Sequence, residues 1–252
     1  MPIPTLKKER HAFILKQVNL HNRVLSTDLC LQLGVSEDTV RRDLNELAEA
    51  GQIEKVHGGA LSVSFSGAYH QEQIYELDKK KIIAAKACSL IKDNMLVLVG
   101  GGTSIREMVR LLPPDLSATF CTISLTIATE LLQHQGLDVM MLGGKISHTS
   151  KVVTDGDVFL KLGELHFDLC LMGSNGIDTK KGLTENDLDI VPLKRAMIKA
   201  SRQTAVMGIS EKLNTCQRGV VCPLSQIDYL ITELDPSDRL LNDYVSNGLT
   251  IL

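Results

Sequence analysis

The chain has 252 residues, 44% of them hydrophobic, which is enough to fill at least one core and long enough for two domains. No run of eighteen apolar residues occurs, and the opening stretch MPIPTLKKERHAF lacks a signal peptide's apolar segment, so neither membrane insertion nor export is expected and the cytoplasm is the expected compartment. The net charge of −3 excludes a globally basic nucleic-acid binder: residues 1–62 hold eight Lys/Arg against eight Asp/Glu, and the whole negative excess lies beyond them.

Leu6 to Asn19 carries Phe13, Ile14, Leu15 and Val18 at helical spacing and predicts a first helix. A short second helix follows, which Ser26 or Thr27 can cap and Gly34 ends. Ser36 is a favourable N-cap for a third helix running to about Ala50, with Gly51 as its stop and Glu37 and Asp38 suited to the positive end of the dipole. This is helix-turn-helix order. At about 100° per residue, Val40, Leu44 and Leu47 share one stripe, while Arg42 falls about 200° round from Val40 and Asn45 about 140°. Arg42 and Asn45 therefore point away from the core, with Arg41 and Thr39 on the two flanks. Such a run could be only a solvated face pairing with Asp38, Asp43 or Glu46. The next segment argues otherwise. Ile53–Val56 reads as a strand, Gly58-Gly59 as a tight turn able to take positive φ, and Ala60–Ser62 as a return strand, a wing that offers Lys55 and His57 to a phosphate backbone.

The pattern formed by Leu29, Gly34, Val35, Ser36, Thr39, Arg41, Arg42, Asp43, Leu44 and Leu47, followed by Gly58 and Gly59, resembles the DNA-binding domain of the DeoR family of bacterial sugar-metabolism repressors. The resemblance implies a third helix in the major groove, Arg41 and Arg42 on phosphate or guanine, Thr39 near base edges, and Ser36, Asn45, Lys55, His57 and Gly58 completing the contact surface. Asp43, at the core margin, is expected to tie the helix down.

Residues 63–75 are polar and non-periodic and read as a linker between a DNA-binding domain at 1–62 and a second domain at 76–252. In the second domain a helical stretch, KKKIIAAKACSLI, precedes apolar runs at 95–99, 119–123, 138–142, 168–172, 204–209 and 228–232, separated by helical segments such as 104–112, 125–133 and 192–201. Buried strands alternating with helices predict an α/β fold with a mostly parallel sheet, whose ligands bind beyond the strands' carboxyl ends. Polar groups cluster at those ends: Gly101, Gly102, Thr103 and Ser104 after the first strand, Ser124 after the second, Lys145 after the third, Asn175 and Gly176 after the fourth, with Lys194 and Lys212 nearby. Backbone N–H groups, hydroxyls and ammonium groups converging on one rim suit a phosphorylated small molecule.

This half resembles the DeoR-type effector domain, itself similar to ribose-5-phosphate isomerase and CoA-transferase folds. The likeness rests on Gly102-Thr103-Ser104, Thr122 with Ser124-Leu125, Gly143-Gly144, Gly156, Gly173 through Asp178, Gly182-Leu183-Thr184 and LKRAMIKAS with Lys194. It implies a sugar-phosphate inducer. Polar positions usual in the family are replaced here by Gly100, Ile123, Ile190 and Ile209, so the phosphate end is retained and partners for sugar hydroxyls are lost.

The expected function is sequence-specific transcriptional regulation, most naturally repression relieved by ligand, by a homodimer or homotetramer that reads paired half-sites on double-stranded DNA. The alternatives are an isomerase-like enzyme with Asp178, Glu185 or Asp187 as base, and a ligand-blind DNA-binding protein. The six cysteines, Cys30, Cys88, Cys121, Cys170, Cys216 and Cys222, contain no CxxC pair and read as buried free thiols. No metal, cofactor or catalytic residue is assigned. The lack of Trp argues against a single-strand stacking platform.

Overall fold

The computed structural model describes residues 6–63, 74–147 and 151–252. The chain divides into two compact units, 1–75 and 76–252. Most of the 63–75 stretch read as a linker lies outside the described residues.

In the first unit, α1 (Lys7–His21), α2 (Ser26–Leu33) and α3 (Glu37–Glu49) surround a core of Ile14, Val18, Leu29, Leu33, Val40, Leu44 and Leu47. Residues three and four apart on each helix meet on the buried side, so the apolar stripes of the sequence become this core. Gly34 ends α2 in the left-handed region at φ 62°, as expected. The anticipated Ser26 or Thr27 cap is not formed: Ser26 is the first helical residue, and its N–H donates instead to the Gly58 carbonyl at 2.9 Å.

Strands β2 (Ile53–Val56) and β3 (Gly59–Ser62) form the expected hairpin, and a third strand, β1 (Arg23–Leu25), pairs antiparallel with β3. At three residues, β1 is too short to carry an alternation signal of its own. It also changes the reading of the two glycines. Only Gly58 takes positive φ, at 76°. Gly59 is the first residue of β3, and a Cβ there would stand 1.9 Å from the Val24 carbonyl oxygen, so its glycine serves the close approach of β1 rather than the turn.

The second unit is built on a seven-stranded, wholly parallel sheet, ordered β13 (Thr250–Ile251), β12 (Tyr229–Ile231), β10 (Ser201–Met207), β7 (Phe167–Gly173), β4 (Leu96–Val99), β5 (Ala118–Thr122), β6 (Leu137–Met141). Its central strands are apolar on both faces, consistent with helices α4 (Leu77–Cys88), α5 (Thr103–Arg110), α6 (Leu125–Leu131), α7 (Gly156–Glu164) and α8 (Ile190–Lys199) interleaved in the chain. All six predicted strands are present. From β4 the chain proceeds through β5 to β6 on one side, while from β7 it proceeds through β10 to β12 and β13 on the other. The carboxyl ends of β4 and β7 therefore flank the topological switch point.

Beside this sheet stands a small antiparallel sheet of β8 (Gly176–Asp178), β9 (Gly182–Glu185) and β11 (Gly219–Cys222), which the parallel reading did not anticipate. Its outer edge is closed by Arg195, whose guanidinium donates to the carbonyls of Val220 and Val221. Among the cysteines, all free, Cys121, Cys170 and Cys222 are buried and Cys30 and Cys88 half-buried, while Cys216 is exposed and departs from the buried-thiol reading.

Candidate nucleic-acid interface and effector site

The outward face of α3 follows from how the inward face is held. Ser36 caps the helix, accepting the Thr39 N–H at 3.3 Å, and its hydroxyl lies 3.0 Å from that of Thr39. Asp43 is only 2% exposed and accepts a forked pair of hydrogen bonds from the Arg10 guanidinium at 2.8 and 3.1 Å, with His11 Nε2 at 3.1 Å. The Asp43 hydrogen bond and charge raise the Arg10 pKa above its ordinary value, outweighing desolvation. This buried fork locks α3 to α1. Lys7 adds an exposed link to Glu46 at 2.6 Å.

With Asp43 facing inward, Arg41 and Arg42 are exposed. Arg41 pairs with Asp38 at 2.9 Å, so one arginine does keep the solvated partner allowed from sequence. Arg42 makes no ion pair among the described residues. Asn45, half-buried, accepts a 2.5 Å hydrogen bond from the Lys55 ammonium, which joins the helix face to β2 of the wing. His57 and Gly58 are exposed at the wing's tip. The eight residues expected at a DNA surface thus lie on α3, its cap and the adjoining hairpin.

At the switch point of the second unit, Gly100 donates its N–H to the Leu171 carbonyl at 2.9 Å, joining the end of β4 to β7. A Cβ on Gly101 would lie 3.4 Å from Ser124 Oγ, and one on Gly173 would lie 3.8 Å from the Gly101 carbonyl oxygen. Gly102, at φ 113°, is the N-cap position of α5 and supplies no side-chain cap. The half-buried hydroxyls of Thr103 and Ser104 make no hydrogen bond among the described residues. An α5 N-terminus with uncommitted N–H groups and two uncommitted hydroxyls has the chemistry to receive an anion.

The floor of this region is ionic. Lys194 Nζ donates to Glu185 at 2.6 Å and to the Gly173 carbonyl at 2.9 Å, while Lys212 Nζ donates to the next carbonyl, Ser174, at 2.6 Å. Asn175 donates its amide to Glu185, which also accepts the Asn186 and Asp187 N–H groups. Burial raises the Glu185 pKa, but the Lys194 charge and these hydrogen bonds more than offset it, and the net shift is downward. Lys212 is only partly covered as a residue, yet burial of its amine, with the charges of Lys80 and Lys194, lowers its pKa to about 7.

The predicted effector residues sort into three groups. Gly101, Gly102, Thr103 and Ser104 at β4, and Asn175, Lys194 and Lys212 around the end of β7, gather at the switch point. Ser124 is buried and caps α6, accepting the Ile127 N–H, and Gly176 is packed in β8 where a Cβ would meet Thr184 and Thr215 at 2.8 Å. Lys145 is exposed after edge strand β6, its N–H tied to Asp155 at 2.6 Å. Ile123 and Ile209 are buried and Ile190 packs against the core, so these positions present hydrocarbon. Lys80 went unassigned from sequence. Its signal lay in the spacing Lys80, Ile83, Ala84, Ala87, which places it on the buried face of α4.

A helix that turns two arginines outward on a winged helix-turn-helix, carried with a parallel α/β unit that gathers anion-binding groups at its switch point, defines a DNA-binding regulator with a ligand-sensing domain. The DeoR-like helix-turn-helix domain matches residues 10–65 and the DeoR C terminal sensor domain matches residues 75–234. The chain belongs to the DeoR family of transcriptional regulators. It is 29% identical to the HTH-type transcriptional regulator GlpR of Haloferax volcanii, over 98% of each chain, and 29% identical to the HTH-type transcriptional repressor GlcR of Bacillus subtilis, over 98% of this chain and 96% of that one. It is 30% identical to the glycerol-3-phosphate regulon repressor of Haemophilus influenzae over 88% of each. Among solved structures, ribose 5-phosphate isomerase A of Methanocaldococcus jannaschii is similar over 55% of each chain, with a TM-score of 0.41 and 17% identity. The three sequence relatives named above are transcriptional regulators, not enzymes. No helix among the described residues is long and apolar enough to cross a membrane.

The isomerase alternative is also disfavoured by chemistry. A base for carbon-proton transfer works best with a pKa near the operating pH. Glu185 is held ionised by Lys194, and the N–H groups of Lys180 and Lys181 hold Asp178 below its ordinary value.

Proposed function

We propose that this regulator represses carbohydrate-metabolism genes and releases its operator when a phosphorylated sugar, or a similar phosphorylated metabolite with fewer hydroxyls, occupies the switch-point site. The observation that carries this reading is the uncapped start of α5, with Thr103 and Ser104 uncommitted and Lys194 and Lys212 at the neighbouring strand end. The similarity to a glycerol-3-phosphate regulon repressor supports a phosphorylated ligand. Residues 1–62 bind double-stranded operator DNA, 63–75 link, and 76–252 sense. On the DNA side, Arg41, Arg42, Thr39 and Asn45 serve the groove, with Ser36, Lys55, His57 and Gly58 along the backbone. Two half-sites call for a homodimer or a homotetramer.

Release is a shift between two arrangements, and the ligand drives it only through different affinity for each. The test combines thermal-shift screening of phosphorylated sugars with operator binding in the presence of each hit. A compound that raises the melting temperature and weakens operator binding is the expected result. If no compound in the panel stabilises the protein, the sensing role is wrong. If a sugar phosphate is turned over, the regulator-only reading is wrong.

A further inference from the structure

Lys80 is 6% exposed, and its ammonium makes no hydrogen bond or ion pair among the described residues. A buried ammonium without a partner is costly, and such groups persist where something else completes them. Its surroundings are charged. On its own helix, Glu76 and Lys79 flank it, and Lys79 Nζ binds Glu211 at 3.3 Å, docking the first turn of α4 on the 3-10 turn Ser210–Lys212. From α5, Arg106 and Glu107 bear on Lys80, and from the 3-10 turn Lys212 does. Lys212 in turn faces Lys80 on α4, Lys194 on α8 and Glu185 on β9. Glu185 is already committed to Lys194 at 2.6 Å, and among the described residues no carboxylate forms an ion pair with Lys80 or Lys212, although Glu107 and Glu76 lie near enough to Lys80 to be felt.

We propose that Lys80 and Lys212, brought from two separate elements, form a seat for the anionic group of the effector, with Lys80 a binding residue of that site. This rests on the effector reading above and names the side chain that completes it. Two like charges held near each other with no carboxylate in direct contact repel, and a dianion placed between them turns that repulsion into two attractions.

A proton-linkage signature follows. Burial and the neighbouring cations lower the Lys80 pKa to about 8 and that of Lys212 to about 7, although Glu107 and Glu76 partly restore the former. An arriving anion raises both, so at pH 8 binding takes up protons, and affinity falls as the pH rises above 7. Neither group gains a proton at pH 6, where both are already charged.

The test is calorimetric titration of the full chain with inorganic phosphate at pH 8, in two buffers of different ionisation heat. The wild type takes up on the order of one proton per phosphate bound. Lys80→Gln weakens binding by about tenfold to a hundredfold and lowers the uptake, while Lys80→Arg, charged at every pH used, restores affinity but not the uptake at this position. Melting curves without phosphate establish that each variant is folded. Equal affinity and equal proton uptake for wild type and Lys80→Gln overturn the Lys80 seat while leaving the effector reading in place. Failure of the wild type to bind phosphate, sugar phosphates included, overturns both.

Discussion

The two units present their sites in opposite ways. The proposed DNA-facing surface occupies residues 36–58, almost all of it on one helix and the hairpin that follows, whereas the proposed effector site draws on α4, α5, α8, β7, β9 and a 3-10 turn spread from Lys80 to Lys212. A site on one helix is aimed by whatever fixes that helix's rotation. A site assembled from six elements is aimed by the sheet that gathers them, and its charges must settle their balance across the core. The first arrangement concentrates its dependence in one buried fork, Asp43 with Arg10 and His11. The second spreads it over lysines that partly repel one another.

The largest expected effect tests that concentration. Asp43→Ala leaves the Arg10 guanidinium, 13% exposed, without its carboxylate and is expected to cost the first unit about 2–4 kcal/mol, measured by urea unfolding. A loss under about 0.5 kcal/mol, the range of ordinary surface changes, would show that α3 is aimed by apolar packing alone. Next come the wing glycines. Gly59→Ala drives a Cβ into the Val24 carbonyl and is expected to cost roughly 1–3 kcal/mol, more than Gly58→Ala, where there is open space and only the left-handed backbone to strain. The reverse order in thermal melts would mean that β1 yields easily.

Arg42→Ala moves function without stability. Operator affinity should fall by about tenfold to a hundredfold in gel-shift titrations, with the melting temperature unchanged because the side chain touches no core. In the second unit, Thr103→Val with Ser104→Ala should keep operator affinity and abolish the response to ligand. Unchanged release by ligand would remove the α5 start from the site.

How far the sequence reveals each site tracks the same contrast. The outward direction of Arg42 and the inward one of Asp43 follow from helical periodicity, because local geometry decides them. The six parallel strands were legible as apolar runs for the same reason. Strand β1 and the antiparallel β8, β9 and β11 were not, since these short strands lack both the apolar runs of five residues or more that marked the parallel strands and the Gly-Gly turn that marked the wing. That Lys145 follows the sheet's edge strand was not legible either, because order across a sheet is a property of topology that no local pattern encodes. Lys80 escaped for the converse reason: its own helix shows it buried, yet only the tertiary fold shows what it is buried beside.

The last test probes the spread of charge in the sensing unit. An amine with its folded-state pKa lowered to about 7 must give up a proton to fold at pH values between that and its unfolded value, so the unfolded chain binds more protons and stability rises with pH across that window. For Lys212 the penalty is full below pH 7 and gone by about pH 10, where the unfolded amine also loses its charge. Lys212→Met removes the penalty at every pH, along with the pH-independent hydrogen bond to the Ser174 carbonyl. The stability difference between Lys212→Met and the wild type should therefore shift steadily in favour of the wild type from pH 7 to pH 10, followed by chemical denaturation at each pH. A difference that stays flat would mean that Lys212 keeps its charge comfortably within the fold, and the second unit would then resemble the first, with each buried charge already matched inside the protein.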